Sequence, residues 1–130
     1  MERQLALTER FCRELADGKR RIWVCVRDGR TIAEIALVFD MRDADYTIPG
    51  RRAYVSHLVV SPESRRQGVG RQLLLHVCQT ARTLGYAELS VGVDLANCPA
   101  LRLYASEGFD RILYVGRDAD GAYCKLLKTL

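Results

Sequence analysis

Short apolar runs separated by polar breaks recur along the whole chain, and the period of each run distinguishes helix from strand. Leu5, Thr8, Cys12 and Leu15 follow one another at spacings of three and four, which predicts a helix over residues 4–17. Arg21 to Arg27 and Thr31 to Phe39 read as two strands joined at Asp28-Gly29, a hairpin dipeptide. The polar stretch 40–51, ending in Pro49-Gly50, predicts a loop. Arg52 to Val60 is β-branched and aromatic and stops at Ser61-Pro62, so it predicts a strand. Val69, Leu73, Val77, Ala81 and Leu84, with Leu74 and Cys78 widening the stripe, form one helical face, and Gly85 supplies the stop.

Residues 87–93 alternate strictly, with Ala87, Leu89, Val91 and Val93 on one face and Glu88, Ser90 and Gly92 on the other. That pattern predicts a half-buried strand. A short helix follows, with Pro99 in its first turn and Gly108 at its end. Phe109 to Val115 and Ala122 to Leu127 close the chain as a hairpin around Asp118-Ala119-Asp120-Gly121. The order α-β-β-β-α-β-α-β-β implies an α/β (α+β) fold, a mostly antiparallel sheet with helices packed on it. The 130 residues are enough for one domain, 1–130, with its own core.

Composition narrows the class. No apolar run approaches the roughly 20 residues that span a bilayer, so no membrane partner is expected. Charged and apolar residues alternate from Met1 to Arg21, which is the pattern of neither a signal peptide nor an anchor and fits a cytoplasmic protein. The net charge of +4 is modest, and the basic residues cluster only at Lys19-Arg20-Arg21 and Arg65-Arg66. A nucleic-acid surface calls for a broader basic face with aromatics between the charges, so no nucleic-acid partner is expected. The five cysteines are odd in number, form no CxxC pair and have no histidine at ligand spacing. They predict buried reduced thiols and neither a disulfide framework nor a metal site.

Candidate chemistry lies at Val59-Val60-Ser61-Pro62-Glu63-Ser64-Arg65-Arg66-Gln67-Gly68-Val69-Gly70-Arg71, a strand, a turn and a helix start. The first amides of a helix have no intrahelical partner, and the macrodipole makes that end partly positive. Gly68 and Gly70 remove side chains that would block an approaching phosphate, while Arg65, Arg66 and Arg71 add mobile charge. The residues alone admit a phosphate or pyrophosphate site, or a tight turn with solvated arginines. They fit neither a Walker turn, lacking the Lys-Ser/Thr pair, nor a dinucleotide fingerprint, lacking one glycine.

Arg65-Arg66-Gln67-Gly68-Val69-Gly70, preceded by Val60-Ser61-Pro62, resembles the Q/R-x-x-G-x-G/A turn of the Gcn5-related N-acetyltransferases and the V-x-P before it. Asn97-Cys98-Pro99-Ala100-Leu101-Arg102-Leu103-Tyr104 through Gly108-Phe109 resembles the same family's N-x-x-A-x-x-L-Y-x-x-x-G-F. The similarity runs from about Ile22 to the C-terminus. It implies a mixed sheet flanked by helices, acetyl-CoA as cosubstrate and transfer of its acetyl group to a small-molecule or peptide amine. By the same resemblance, amides of Gln67, Gly68, Val69, Gly70 and Arg71 bind the pyrophosphate. The backbone of Leu58, Val59 and Val60 pairs with the pantetheine arm, Asn97 contacts the cofactor, and Tyr104 sits near the sulfur.

Acyl transfer to an amine needs a neutral amine, a donor to the developing oxyanion and a proton for the leaving thiolate. A backbone amide of strand 52–60, at or near Val60, suits the second role. Tyr104 suits the third by resemblance, against the alternative of a tyrosine packed under its helix. For the base, His57, Glu34 and Asp94 stay open; strict alternation puts His57 on the face of Val55 and Val59. Cys98 has no nearby histidine and is not needed as a nucleophile. Asp40, Asp43 and Asp45 lie in the loop that faces the acceptor in this family, as a cation-attracting or simply solvated segment.

The chain departs from the family ahead of Arg21, where one predicted helix replaces a strand and further helices. An absent first strand would leave a sheet edge open, and this predicts a homodimer. It also leaves room for a non-catalytic acyl-CoA-binding module, or for a nucleotide or phosphopeptide binder using the same turn.

Overall fold

The computed structural model describes residues 11–16 and 19–130. Strands β1 (Phe11–Ala16), β2 (Arg20–Arg27), β3 (Arg30–Val38) and β4 (Arg52–Val60) precede helix α1 (Val69–Thr83). Strand β5 (Glu88–Asp94), helix α2 (Cys98–Ser106) and strands β6 (Phe109–Asp118) and β7 (Gly121–Thr129) follow. The strands form one sheet in the order β1-β2-β3-β4-β5-β7-β6. Hairpin turns set most of that order: Asp28 and Gly29, at φ 51° and 75°, supply the left-handed pair that joins β2 to β3. Every neighbouring pair is antiparallel except β4 with β5, whose parallel pairing requires a crossover that α1 provides.

Helix α1 buries the predicted stripe, Val69, Leu73, Leu74, Val77, Cys78 and Ala81, in a core with Ile35, Leu37, Val55, Leu89 and Val91. Each valine, leucine or isoleucine among them contributes about 1.5–3 kcal/mol on leaving water. Leu84 is 46% exposed because it caps the helix just before Gly85 turns the chain at φ 90°.

Three sequence expectations change. Within the predicted helix, residues 11–16 form β1, antiparallel to β2; residues 4–10 and 17 lie outside the described residues. The free backbone edge of β2 offers a whole ladder of hydrogen bonds, which outweighs two periodic positions in a six-residue segment. The first strand is therefore present, and an open β2 edge no longer argues for a homodimer. Strand β5 is buried on both faces, not one: Glu88 and Ser90 are 7% and 0% exposed. The loop between β3 and β4 covers the second face, where Ser90 Oγ donates to Tyr46 O at 2.6 Å. Glu88 is held there by Arg51 at 3.2 Å and Arg52 at 3.0 Å.

Cys25 is buried, Cys78 and Cys124 are buried free thiols, and Cys98 is exposed. Among the described residues no helix is long and apolar enough to cross a membrane.

Candidate active site

Strands β4 and β5 pair from Arg52 opposite Glu88 to Val55 opposite Val91 and then part. Each keeps its outer neighbour, β3 up to Val60 opposite Ala33 and β7 up to Tyr123 opposite Asp94. A cleft opens between Ser56–Val60 and Gly92–Asp94, and among the described residues the β4 edge facing it has no strand partner. A bulge helps part the strands: Ala36 and Glu34 of β3 face Ser56 and Val59, so His57 and Leu58 share the place opposite Ile35. The bulge breaks the strict alternation expected of this strand. Val59 falls on the face of Ser56, and it is 51% exposed there.

The glycine turn lies at the end of this cleft. The Ser61 amide donates to Ile32 O at 2.8 Å, extending the β3–β4 ladder into the turn. Arg66 and Gly68 adopt left-handed backbone at φ 61° and 79°, and helix α1 starts directly after them. A methyl added at Gly70 would meet Val60 Cγ2 at 3.6 Å and Leu103 Cδ2 at 3.7 Å, so the helix start leans on both β4 and α2. Beyond Gly68 there is open space among the described residues. Arg65 and Arg66 are exposed, with Arg65 Nε donating to Val60 O at 3.2 Å. Arg71 does not carry mobile charge: its guanidinium pairs with Glu107 and donates to Ser106 Oγ at 3.1 Å. The Ser61 hydroxyl is buried and has no hydrogen-bond partner among the described residues.

Asn97 caps α2, its side chain accepting from the Ala100 amide at 3.2 Å. One helical face further on, Tyr104 is 6% exposed and meets Phe109 edge-on, with ring centroids 5.4 Å apart. Burial, with a smaller electrostatic push from Tyr54, raises its phenol to about 12. Such a phenol keeps its proton throughout the neutral range.

On the sheet face away from α1, a pocket of about 380 Å³ borders the cleft. Tyr54 of β4 and Gly92, Val93 and Asp94 of β5 line it together with Tyr46, Tyr123 and Lys125. Its wall is the β3–β4 loop, strapped down by Lys125, whose Nζ lies 2.6 Å from Asp43 Oδ2 and 3.2 Å from Asp45 Oδ2. The same ammonium sits 5.0 Å and 4.8 Å from the ring centroids of Tyr46 and Tyr114. The bond to Asp43, supported by Asp45, holds the lysine above its usual range, and Lys125 in turn holds the Asp43 carboxyl below its own. Asp43 and Asp45 are therefore neither free nor merely solvated, whereas Asp40 is exposed. Gly92 lets the wall close, because a side chain there would meet the Tyr46 hydroxyl at 2.6 Å.

The structure thus brings the strand 58–60 and the turn 65–71 together, with Leu103 of α2 beside the helix start, while Tyr104 is buried against Phe109. Of the base candidates, Asp94 lines the pocket, Glu34 stands on β3 opposite Val59, and the His57 backbone lies at the bulge. Sequence reasoning missed Lys125, Tyr46, Tyr54 and Tyr123. One signal was available for the lysine, which interrupts the apolar run Tyr123-Cys124-Lys125-Leu126-Leu127 at a position 8% exposed.

Comparison with known proteins adds an independent line. Residues 2–109 match the acetyltransferase (GNAT) family. N-acetyltransferase 8 of Homo sapiens is 33% identical over 90 residues, 68% of this chain and 38% of that protein. Streptothricin acetyltransferase of Streptomyces lavendulae is 30% identical over 112 residues, 82% of this chain and 56% of that protein. This chain therefore spans about half or less of each of those relatives. A GNAT family acetyltransferase from Elizabethkingia anophelis, solved with acetyl-CoA bound, superposes with a TM-score of 0.71 over 86% of this chain and 77% of its own. Its 19% identity makes that a likeness of fold.

Proposed function

Because the chain belongs to the acetyltransferase (GNAT) family, we propose that it transfers an acetyl group from acetyl-CoA to a primary amine by direct attack on the thioester. The observation that carries this reading is the parting of β4 from β5 beside a left-handed turn that opens a helix. An extended arm can add to the unpaired β4 edge at Leu58, Val59 and Val60 as a further strand. The amides of Gln67 to Arg71 then meet the pyrophosphate, aided by the exposed Arg65 and Arg66. Arg71 contributes its amide, since Glu107 holds its side chain. The open space beside Gly68 and the unpartnered Ser61 hydroxyl fit a ligand on this side. Asn97 keeps the start of α2 in order at the cleft.

An amide in the bulged stretch of β4, up to Val60, is the donor for the charge that develops on the carbonyl oxygen. Tyr104 is the acid that returns a proton to the thiolate, and its burial keeps that proton available. His57 and Asp94 are the groups to take the amine's proton; lining the pocket favours Asp94. The acceptor is a cationic small-molecule or peptide amine, supported by Asp43, Asp94, Asp118 and Asp120 around one pocket of a protein with net charge +4. The buried thiols of Cys78 and Cys124 support a cytoplasmic setting. The exposed Ile112 and Val115 of the outer strand β6, rather than an open β2 edge, now support a homodimer.

The non-catalytic alternative loses its main support, because the first strand is present as β1. Thiol release from acetyl-CoA, followed against a panel of aminoglycosides, polyamines and short peptides, tests the choice. Amine-dependent release is expected. Tight acetyl-CoA binding with no amine accelerating release would favour the binding module instead.

A further inference from the structure

The turn proposed to hold phosphate is not stable in its own right. Arg66 is a non-glycine residue at φ 61°, two positions before Gly68 at φ 79°. A residue with a Cβ is strained in the left-handed region, so neighbouring contacts must hold it in place. The residue between them, Gln67, is fixed at both ends of its amide. Its Oε1 accepts from Arg27 Nη1 at 3.0 Å, and its Nε2 donates to Glu63 O at 3.2 Å. The orientation of the amide is set by chemistry, since a guanidinium only donates.

Arg27 comes from forty positions earlier, where β2 meets the Asp28-Gly29 turn. That hairpin end reaches the phosphate turn because β3 pairs with β4 up to Ala33 opposite Val60, and Ile32 O accepts from the Ser61 amide. The family motif does not include this contact: Gln67 fills one of its unspecified positions.

We propose that Arg27 is a positioning residue for the cofactor: through Gln67 it locks the backbone of residues 65–68 in the geometry that turns its amides toward a pyrophosphate. The inference rests on the acetyl-CoA reading above. Arg27 touches Gln67 rather than a reacting atom, so its effect belongs in affinity and not in chemistry.

Calorimetric titration with CoA tests this on the wild-type chain, Arg27→Met, Gln67→Ala and the double variant. Each single change is expected to weaken CoA about tenfold, and the double no more than either, because both remove one contact. S-acetyl-pantetheine, which lacks the pyrophosphate, should bind all four proteins alike by ligand-observed NMR. Unfolding temperatures without ligand should agree within a degree or two. Losses that multiply in the double variant would mean that Arg27 meets the ligand directly, which overturns the positioning role. Equal loss of both ligands, or a large fall in unfolding temperature, would reduce the contact to general support of the fold. Unchanged CoA affinity in the variants would refute this inference alone, whereas a folded wild-type chain that ignores CoA would refute the functional reading beneath it.

Discussion

At the end of the cleft proposed to take phosphate, the consecutive residues from Val60 to Arg71 offer mainly backbone: left-handed turns at Arg66 and Gly68 and the first amides of α1. At the pocket end, Asp43, Tyr46, Tyr54, Asp94, Tyr123 and Lys125 converge from four separate segments, and they offer side chains. The first end needs a fixed backbone path that any sequence with glycine in the right place can follow. The second needs a wall held against the sheet by one buried lysine, two carboxylates and two aromatic rings. A common ligand can be met by a recurring backbone device, whereas the selection of one amine requires a surface particular to the chain.

If the two ends are as separate as this, substitutions at one should spare the other. Gly68→Val should cost the largest effect, at least about 100-fold in acetyl-CoA affinity by calorimetry, because φ 79° excludes a β-branched residue. Gly70→Ala should leave that affinity within a few-fold, since its methyl meets only ordinary contacts at 3.6 Å and 3.7 Å. Next comes Tyr104→Phe, which should lower kcat on the order of 100-fold while acetyl-CoA binding and unfolding temperature stay nearly constant. A large loss of stability instead would return Tyr104 to the role of a packed core residue. Lys125→Met should release the loop and raise KM for the amine about tenfold without touching acetyl-CoA affinity; a matching loss of both would show the two ends to be coupled.

The smallest effect concerns pH. Burial raises the phenols of Tyr46 and Tyr104 to about 12 from the ordinary 10. Above pH 10 the unfolded chain releases protons that the folded chain keeps, so stability should be intact below pH 10 and fall as pH rises toward 12. Lys125, also raised, acts in the same direction. Denaturant titrations should show a loss of about 1–2 kcal/mol by pH 11, smaller in Tyr104→Phe.

This contrast also explains what could be read from the sequence. The stripe of α1, the hairpin at Asp28-Gly29, the stop at Ser61-Pro62 and the helix start at Pro99 depend on neighbours in the chain, and each was legible. Strand β1 was not, because its structure comes from β2 rather than from its own six residues. The bulge at His57 and Leu58 was hidden as well, since a change of register leaves no mark in composition. Ser90 looked outward by alternation and is buried because a loop from residues 39–51 lies over it. The arginines of the turn were visible as charge, but the capture of Arg71 by Glu107, thirty-six positions away, was not.

The central claim is that the gap between β4 and β5 and the turn at its end receive acetyl-CoA. Titrating the folded chain with acetyl-CoA, by calorimetry and by unfolding temperature, tests this most directly. The account predicts saturable binding of one molecule per chain and, at 100 times the dissociation constant, stabilisation by about 2.7 kcal/mol, a rise of several degrees. A well-folded chain that shows neither heat nor stabilisation would contradict it.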